Sequence, residues 1–353
     1  MSAAVSYLVS KGVQDVYLTD GVSGEFPFKT MYAKQRNFSH APKKLSWMGN
    51  IQAGGSSILQ LQSLGDLITG VWFEGSSLST SFAGSVFELW IGGQLIDSHT
   101  ADYLQEIWQA YLPETQAKSD TFNTTLSVTN DSFFPLHFFF CDNDMFLPLI
   151  SITAVPVEIR VSWGPNVASA GAIAAYGKYV FLDTQDRKEF TSRPIDILIT
   201  QVQRSLSSSL TNIDLSVFNH PVKAIFFGQP MATPLSQKWS FTSADLLLNG
   251  NFLLEQMSPN FFYTSQIYYH TQHGVSTWDS IAMTPQYTQY FMYSFALDAS
   301  SYKSTGTCNF SRIDLPKLNL SGPTNLSGSL SVYALGYNVL RVAGGTAGVL
   351  FGS

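Results

Sequence analysis

The residues with the chemistry of a metal or catalytic site are sparse and badly spaced for either. His270 and His273 lie three apart with Asp279 nearby, which is the nearest approach to a metal motif. A structural zinc site needs four ligands in closed geometry, and a metalloenzyme barrel needs several histidines plus a carboxylate on facing strands. The further partners are missing, and Tyr268, Tyr269 and Gly274 mark a surface loop. The two cysteines, Cys141 and Cys308, sit in apolar or strand-like runs, a setting for buried structural thiols rather than reactive ones. No Gly-x-Ser-x-Gly elbow occurs. The glycine strings IGGQ (Ile91 to Gln94) and AGGTAG (Ala343 to Gly348) lack the strand, loop, helix and lysine of a phosphate cradle; paired glycines between strands ordinarily serve turns that need positive φ. The sequence therefore assigns no catalytic, cofactor-binding or metal-binding residue and no cofactor.

Arg312 and Asp314 carry opposite charges two positions apart. On a strand they would share a face, and an arginine–carboxylate contact there would fix a strand end at a domain or subunit seam. Sequons stand at Asn37, Asn123, Asn130, Asn309, Asn319 and Asn325. No secretory signal precedes them, so they are read as unmodified, with Asn309 near packed strands.

The elements that must hold these residues are strands. Short β-branched or aromatic runs separated by Gly, Pro, Asn, Ser and Asp recur along the chain: Val71–Phe73, Val86–Ile91, Leu126–Val128, Leu136–Phe140, Val157–Trp163, Ala224–Phe227, Tyr290–Leu297 and Val332–Val342. Within VEIRVSW, Val157, Ile159, Val161 and Trp163 point one way and Glu158, Arg160 and Ser162 the other. The unbroken apolar run His137–Phe140 predicts a strand buried on both faces. Helical periodicity is confined to Ala101–Tyr111, Asp196–Arg204 and Ser243–Leu248. Phe38, His40 and Lys43 recur as Phe218, His220 and Lys223, and Leu149, Arg160 and Val161 as Leu330, Arg341 and Val342, a spacing of about 180 residues that predicts two sister domains.

The chain has 353 residues, enough for two domains, and only 12% charged residues, about half the ~25% of ordinary soluble domains. So few charges predict a surface largely covered by neighbours. With 19 basic against 25 acidic residues, a net charge of −6 and no basic run, the chain offers no surface for direct nucleic-acid binding. Two thiols make no disulfide framework, which suits assembly in a reducing compartment. No apolar stretch reaches the ~20 residues of a membrane span.

GTCNFSRID (Gly306 to Asp314), followed by YALGYNVLRV (Tyr333 to Val342), resembles the carboxy-terminal signature of the major capsid proteins of nucleocytoplasmic large DNA viruses. Other blocks resemble that family in order: GVQDVYLTD and FKTMYAKQRNFS near the start, FELWIGGQLID, FFPLHFFFCDNDMFLPLISI, YVFLDTQDRKEF, and FNHPVKAIFF as the lead-in to a second barrel. The resemblance implies an all-β double jelly roll, two consecutive eight-stranded β-sandwiches with short helices in loops. The expected organisation is an arm over 1–24, a first jelly roll over 25–186 and a second over 187–353, cut near Arg187 in the charged DRKEF stretch. It implies a structural role and no enzyme: homotrimeric, pseudo-hexameric capsomers tiling an icosahedral virion capsid assembled in host cytoplasm. The implied partners are neighbouring capsomers, minor capsid and penton proteins, and the inner viral membrane under the shell. Rival readings are a minor capsid jelly roll of the same shell, a lectin-like module binding glycans through Tyr268, Tyr269 and Trp278, and a cupin-like enzyme.

Overall fold

The computed structural model describes residues 35–115, 118–119, 132–142, 144–167, 172–229, 239–272, 278–279, 284–285, 290–326 and 328–352, together with Val5 and Val13. The expected strand Leu126–Val128 and almost all of the expected arm fall outside these residues. Residues 38–353 form one compact unit, and 1–37 another.

In the compact unit the alternating runs become antiparallel strands. The first half supplies β1 (Phe38–Leu45), β2 (Ser56–Gln60), β3 (Leu67–Glu74), β4 (Val86–Ile91), β5 (Gln94–Thr100), β6 (Phe133–Pro135), β7 (Val157–Ser162) and β8 (Ala174–Leu182). They form one sheet in the order β1-β8-β3-β6 and another containing β2-β7-β4-β5. The second half supplies β9 (Ile195–Ser207), β10 (Asn212–Asp214), β11 (Pro221–Gly228), β12 (Ser243–Leu248), β13 (Asn251–Met257), β14 (Tyr290–Ser294), β15 (Lys317–Ser321) and β16 (Leu330–Ala343). Their orders, β9-β16-β11-β14 and β10-β15-β12-β13, repeat those of the first half. Both are jelly rolls. The sheets exceed a bare eight-strand sandwich: Trp47–Met48 adds to β2, Cys308–Asn309 to β11, and a final strand, β17 (Thr346–Val349), to β16. Between the halves α1 (Thr184–Ser192) is capped by the Asp183 carboxylate, which accepts from the Thr184 amide. Its Arg187 is not a free surface charge but pairs with Asp66 at 3.0 Å.

Side-chain alternation sets the two faces of the first half. Val157, Ile159 and Val161 are buried, while Arg160 lies outside, bonded to Glu158 and with its guanidinium 4.3 Å from the centre of the Trp90 ring. Two tight hairpins join β4 to β5 and β12 to β13. Gly92 and Gly93 have φ of 57° and 82°, Asn249 and Gly250 of 53° and 77°, the left-handed pair that matches the twist of antiparallel strands.

Those hairpins reveal the true internal period. Val86 and Ser243 open equivalent strands, as do Gln94 and Asn251, and Phe38 and Ile195, each pair 157 residues apart. The expected period near 180 is incorrect: it sets the first strand, β1, against the segment around β11, the third strand of its barrel, and β7 against the last strand, β16. Two helical expectations fail as well. Asp196–Arg204 lies in the 13-residue β9, which pairs with β16 along its whole length, and Ser243–Leu248 is β12. Partner strands with matching length decided both, overriding local propensity. Ala101–Tyr111 is helical, entering as a wide π turn over Tyr103–Trp108 and continuing through Gln109–Tyr111. The Phe138–Phe140 run is fully buried, but only Phe133–Pro135 is strand; Phe139–Cys141 is a 3-10 turn.

Each barrel packs an aromatic core. Phe73, Phe82, Phe87 and Phe134 fill the first, with Phe82 edge-on to Phe134 at 4.8 Å. In the second, Phe291 touches Tyr263 at 4.2 Å, Trp239 at 4.8 Å and Phe241 at 4.7 Å. Phe291→Ala removes a fully buried ring that its neighbours cannot replace, and should cost about 3–5 kcal/mol, read as a lowered urea midpoint.

Candidate functional site: the seam between the barrels

The chemistry of this chain is concentrated where one barrel meets the other. The centre of sheet β9-β16-β11-β14 is buried on both faces: the first nine residues of β16, Leu330 to Asn338, are all buried, and β11 is buried from Val222 to Gly228. Its inner face serves the second core, while Phe226, Tyr290, Met292, Tyr333 and Leu335 join the core of the first barrel. What covers them is β5, the edge strand of the first barrel, and the helical segment that follows it. Tyr111 lies 5.7 Å from Phe226 and donates its hydroxyl to the Tyr290 carbonyl at 2.6 Å. Tyr103 lies 5.6 Å from Tyr333, whose hydroxyl meets Thr100 Oγ1 at 2.8 Å.

Polar groups fix the register of this apolar contact. Asp97 Oδ1 accepts from the Val202 amide of β9 at 2.9 Å, and Asp97 Oδ2 holds His99 Nε2 at 2.8 Å. Gln201 donates to the Ile96 carbonyl. His99 is 1% exposed and stacks on Phe138 at 4.8 Å. Behind it lies a small polar cavity of about 30 Å³, lined from the first barrel by His99, His137 and Asp142 and from the second by Thr200, Lys223 and Ser300. Lys223 is 4% exposed and donates to the Ser301 carbonyl at 3.2 Å. Burial lowers its pKa to about 8, with Asp142 and Asp298 opposing. Burial likewise raises the Asp142 carboxyl above the usual range and holds His137, stacked on Trp108, well below the usual histidine range. At the rim the turn of the last strand pair reaches the first barrel, where the Ala154 amide donates to the Gly345 carbonyl at 2.9 Å.

Several residues singled out by sequence lie elsewhere. His270 bonds through Nδ1 to the Ala296 carbonyl at 2.7 Å, and His273 lies outside the described residues, as does the side chain of Asp279. Among the described residues no group of three His, Cys, Asp or Glu could hold a metal. Cys141 and Cys308 are both free thiols; burial pushes the Cys141 thiol up to about 12 and raises that of Cys308. Arg312 ends a 3-10 turn, Phe310–Arg312, so it does not share a strand face with Asp314, and both are exposed. Asn309 is exposed rather than packed, its side chain accepting from the Ser311 amide; Asn123 and Asn130 lie outside the described residues. Tyr268 and Tyr269 are exposed. Sequence reasoning missed Asp97 and His99. Their signal is an acid and a histidine two apart on one face of a strand, just ahead of an amphipathic turn.

Family comparison covers both halves. The chain matches the large eukaryotic DNA virus major capsid protein model over residues 186–348 and the major capsid protein N-terminus model over 27–186. It is 30% identical to the major capsid protein of Pyramimonas orientalis virus, over 99% of this chain and 100% of that protein. The chain belongs to the major capsid protein family of large eukaryotic DNA viruses. The major capsid protein of Paramecium bursaria Chlorella virus 1 is 28% identical over 99% of this chain and all of that protein. A chain of the PBCV-1 virus capsid structure superposes with a TM-score of 0.78 at 25% identity, covering 92% of this chain and 100% of that one. The protein is thus a structural component of the virion capsid, and the seam is the joint between its two barrels.

The pKa of His137 gives the seam a pH dependence whose sign is fixed. The folded protein holds this imidazole neutral, whereas in the unfolded chain it binds a proton near pH 6.5. Its contribution is therefore intact above that pH and is lost as pH falls below it, at a slope of up to about 1.4 kcal/mol per pH unit. Urea midpoints between pH 7.5 and 5 should fall less steeply for His137→Phe than for the parent.

Proposed function

We propose that three copies of this chain close into a capsomer of six barrels, a pseudo-hexameric homotrimer that tiles the flat facets of an icosahedral shell. The observation that carries this reading is the repeated strand order on either side of a seam buried on both faces, which makes one chain two near-equivalent wall segments. Closed symmetry satisfies lateral apolar faces without leaving open ends, and a chain with 12% charged residues is suited to having its flanks covered. The same reading takes 25–186 and 187–353 as the two domains, with 1–24 as an arm running under the shell to a neighbouring capsomer, to minor capsid or penton proteins, or to the inner membrane surface. Assembly takes place in the reducing host cytoplasm, which suits two free thiols. The role is mechanical: no catalysis, cofactor or direct genome contact is assigned.

Size-exclusion chromatography with light scattering should give a stable species of about three times the 38.9 kDa chain mass; a monomer at micromolar concentration would contradict the reading. Removing Met1 to Gly24 should leave that species intact and reduce the yield of closed shells, scored by electron microscopy.

A further inference from the structure

Hydrogen-bond accounting around the seam cavity leaves one group short on each side. On the side of the first barrel it is His99 of β5, which is 1% exposed. Its Nε2 lies 2.8 Å from Asp97 Oδ2, and an ionised carboxylate can only accept, so Nε2 carries the proton. In a neutral ring that makes Nδ1 an acceptor, and it is buried with no donor among the described residues in reach. On the side of the second barrel it is Lys223 of β11. One of its N–H groups goes to the Ser301 carbonyl at 3.2 Å, and whether ammonium or amine it keeps at least one more to give. Both residues line the same cavity, an acceptor in one barrel and a donor in the other, without a hydrogen bond between them. Groups of this kind are costly to bury unmatched.

Size and chemistry together narrow what can match them. The cavity measures about 30 Å³, and a water needs roughly 10–15 Å³ of such space, so one or two waters fit and little else does. The occupant must accept from Lys223 and donate to His99. A halide accepts but has no proton to donate. A metal cation can do neither, and it would meet the charge of Lys223. Water does both, and its second hydrogen has an acceptor at hand in the Asp142 carboxyl or Thr200 Oγ1, which line the same space. That makes about three hydrogen bonds, the usual number for a buried water.

We propose that the cavity is a built water site, in which one or two waters accept from Lys223 and donate to His99 Nδ1 and Asp142 and so bridge the two barrels. The water is a working part of the joint. It ties β5 and the segment after the Phe139–Cys141 turn to β11, three elements that the direct contacts of Asp97, Thr100 and Tyr111 do not connect in this way. A water-mediated bond of this sort is nearly as good as a direct one, and it orients both partners as strictly, because each lone pair and each proton is used.

The test begins with the unaltered full chain, crystallised with bromide in place of chloride. Density for one or two waters within hydrogen-bond distance of both His99 Nδ1 and Lys223 Nζ, with no anomalous bromide signal there, is the expected result. The protein has six histidines; labelled with ¹⁵N-histidine at pH 8 and assigned with His99→Gln, it should show the His99 proton on Nε2 and none on Nδ1 by magic-angle-spinning NMR. Urea unfolding of Lys223→Met, His99→Phe and the double variant supplies the energetic arm. Because one water serves both residues, the double variant should be at least ~3-fold more stable, as an unfolding equilibrium constant, than the two single losses combined would give. A dry cavity, a bromide peak, a protonated Nδ1 or strictly additive losses would each overturn the proposal.

Discussion

The rest of the molecule depends on burying one sheet twice. Sheet β9-β16-β11-β14 gives its inner face to its own barrel and, through Phe226, Tyr290, Met292, Tyr333 and Leu335, its outer face to the core of the first, so the two sandwiches form one compact unit. Apolar contact supplies the bulk of the cohesion, since dispersion and desolvation scale with area. It does not supply direction. Direction comes from a few buried polar contacts, Asp97 to the Val202 amide, Thr100 to Tyr333 and Tyr111 to the Tyr290 carbonyl, each costly to leave unmade once water is gone. A slip of one residue in β9 would point its seam residues at the wrong face and strand these groups.

The polar cavity at the seam has a cost as well as a use. Lys223 and Asp142 are held there against burial that disfavours both charges, and an apolar lining would pack at least as well. A fully apolar joint would, however, tolerate sliding and rotation, whereas paired polar groups admit one register. For a component whose task is to transmit geometry from one barrel to the next, a defined angle matters more than maximal stability. The titratable groups that gather here are packed among aromatic rings, with a space behind them of about 30 Å³.

The comparison of sequence and structure turns on which patterns are local. The alternation in Val157–Ser162, the glycine-bearing hairpin at Gly92–Gly93 and the helical segment through Tyr111 were legible because each is written in neighbouring residues. The period of the duplication was misread because a few identical letters at a spacing near 180 outweighed the structural period of 157, which is visible mainly in hairpin turns and not in side-chain identity. β9 was misread as a helix because the alternation of Ile195, Ile197 and Ile199 is blurred by Leu198, Thr200 and Gln201; Thr200 lines the seam cavity, Gln201 bonds to Ile96 of the first barrel, and Leu198 lies exposed. Asp97 escaped notice because it keys the Val202 amide of the second barrel, and His99 because the ring that buries it, Phe138, comes from a distant segment of the first.

By itself the sequence determined that the chain is made of strands, that it is long enough for two sandwiches, and, through a series of blocks resembling one family, that it builds a shell. These follow from local periodicity, composition and motif order, which need no knowledge of what touches what. Only the tertiary structure decided which sheet is buried from both barrels and which polar residues key the seam. Those are properties of contacts between distant segments, where the identity of a residue acquires meaning from the surface that closes over it.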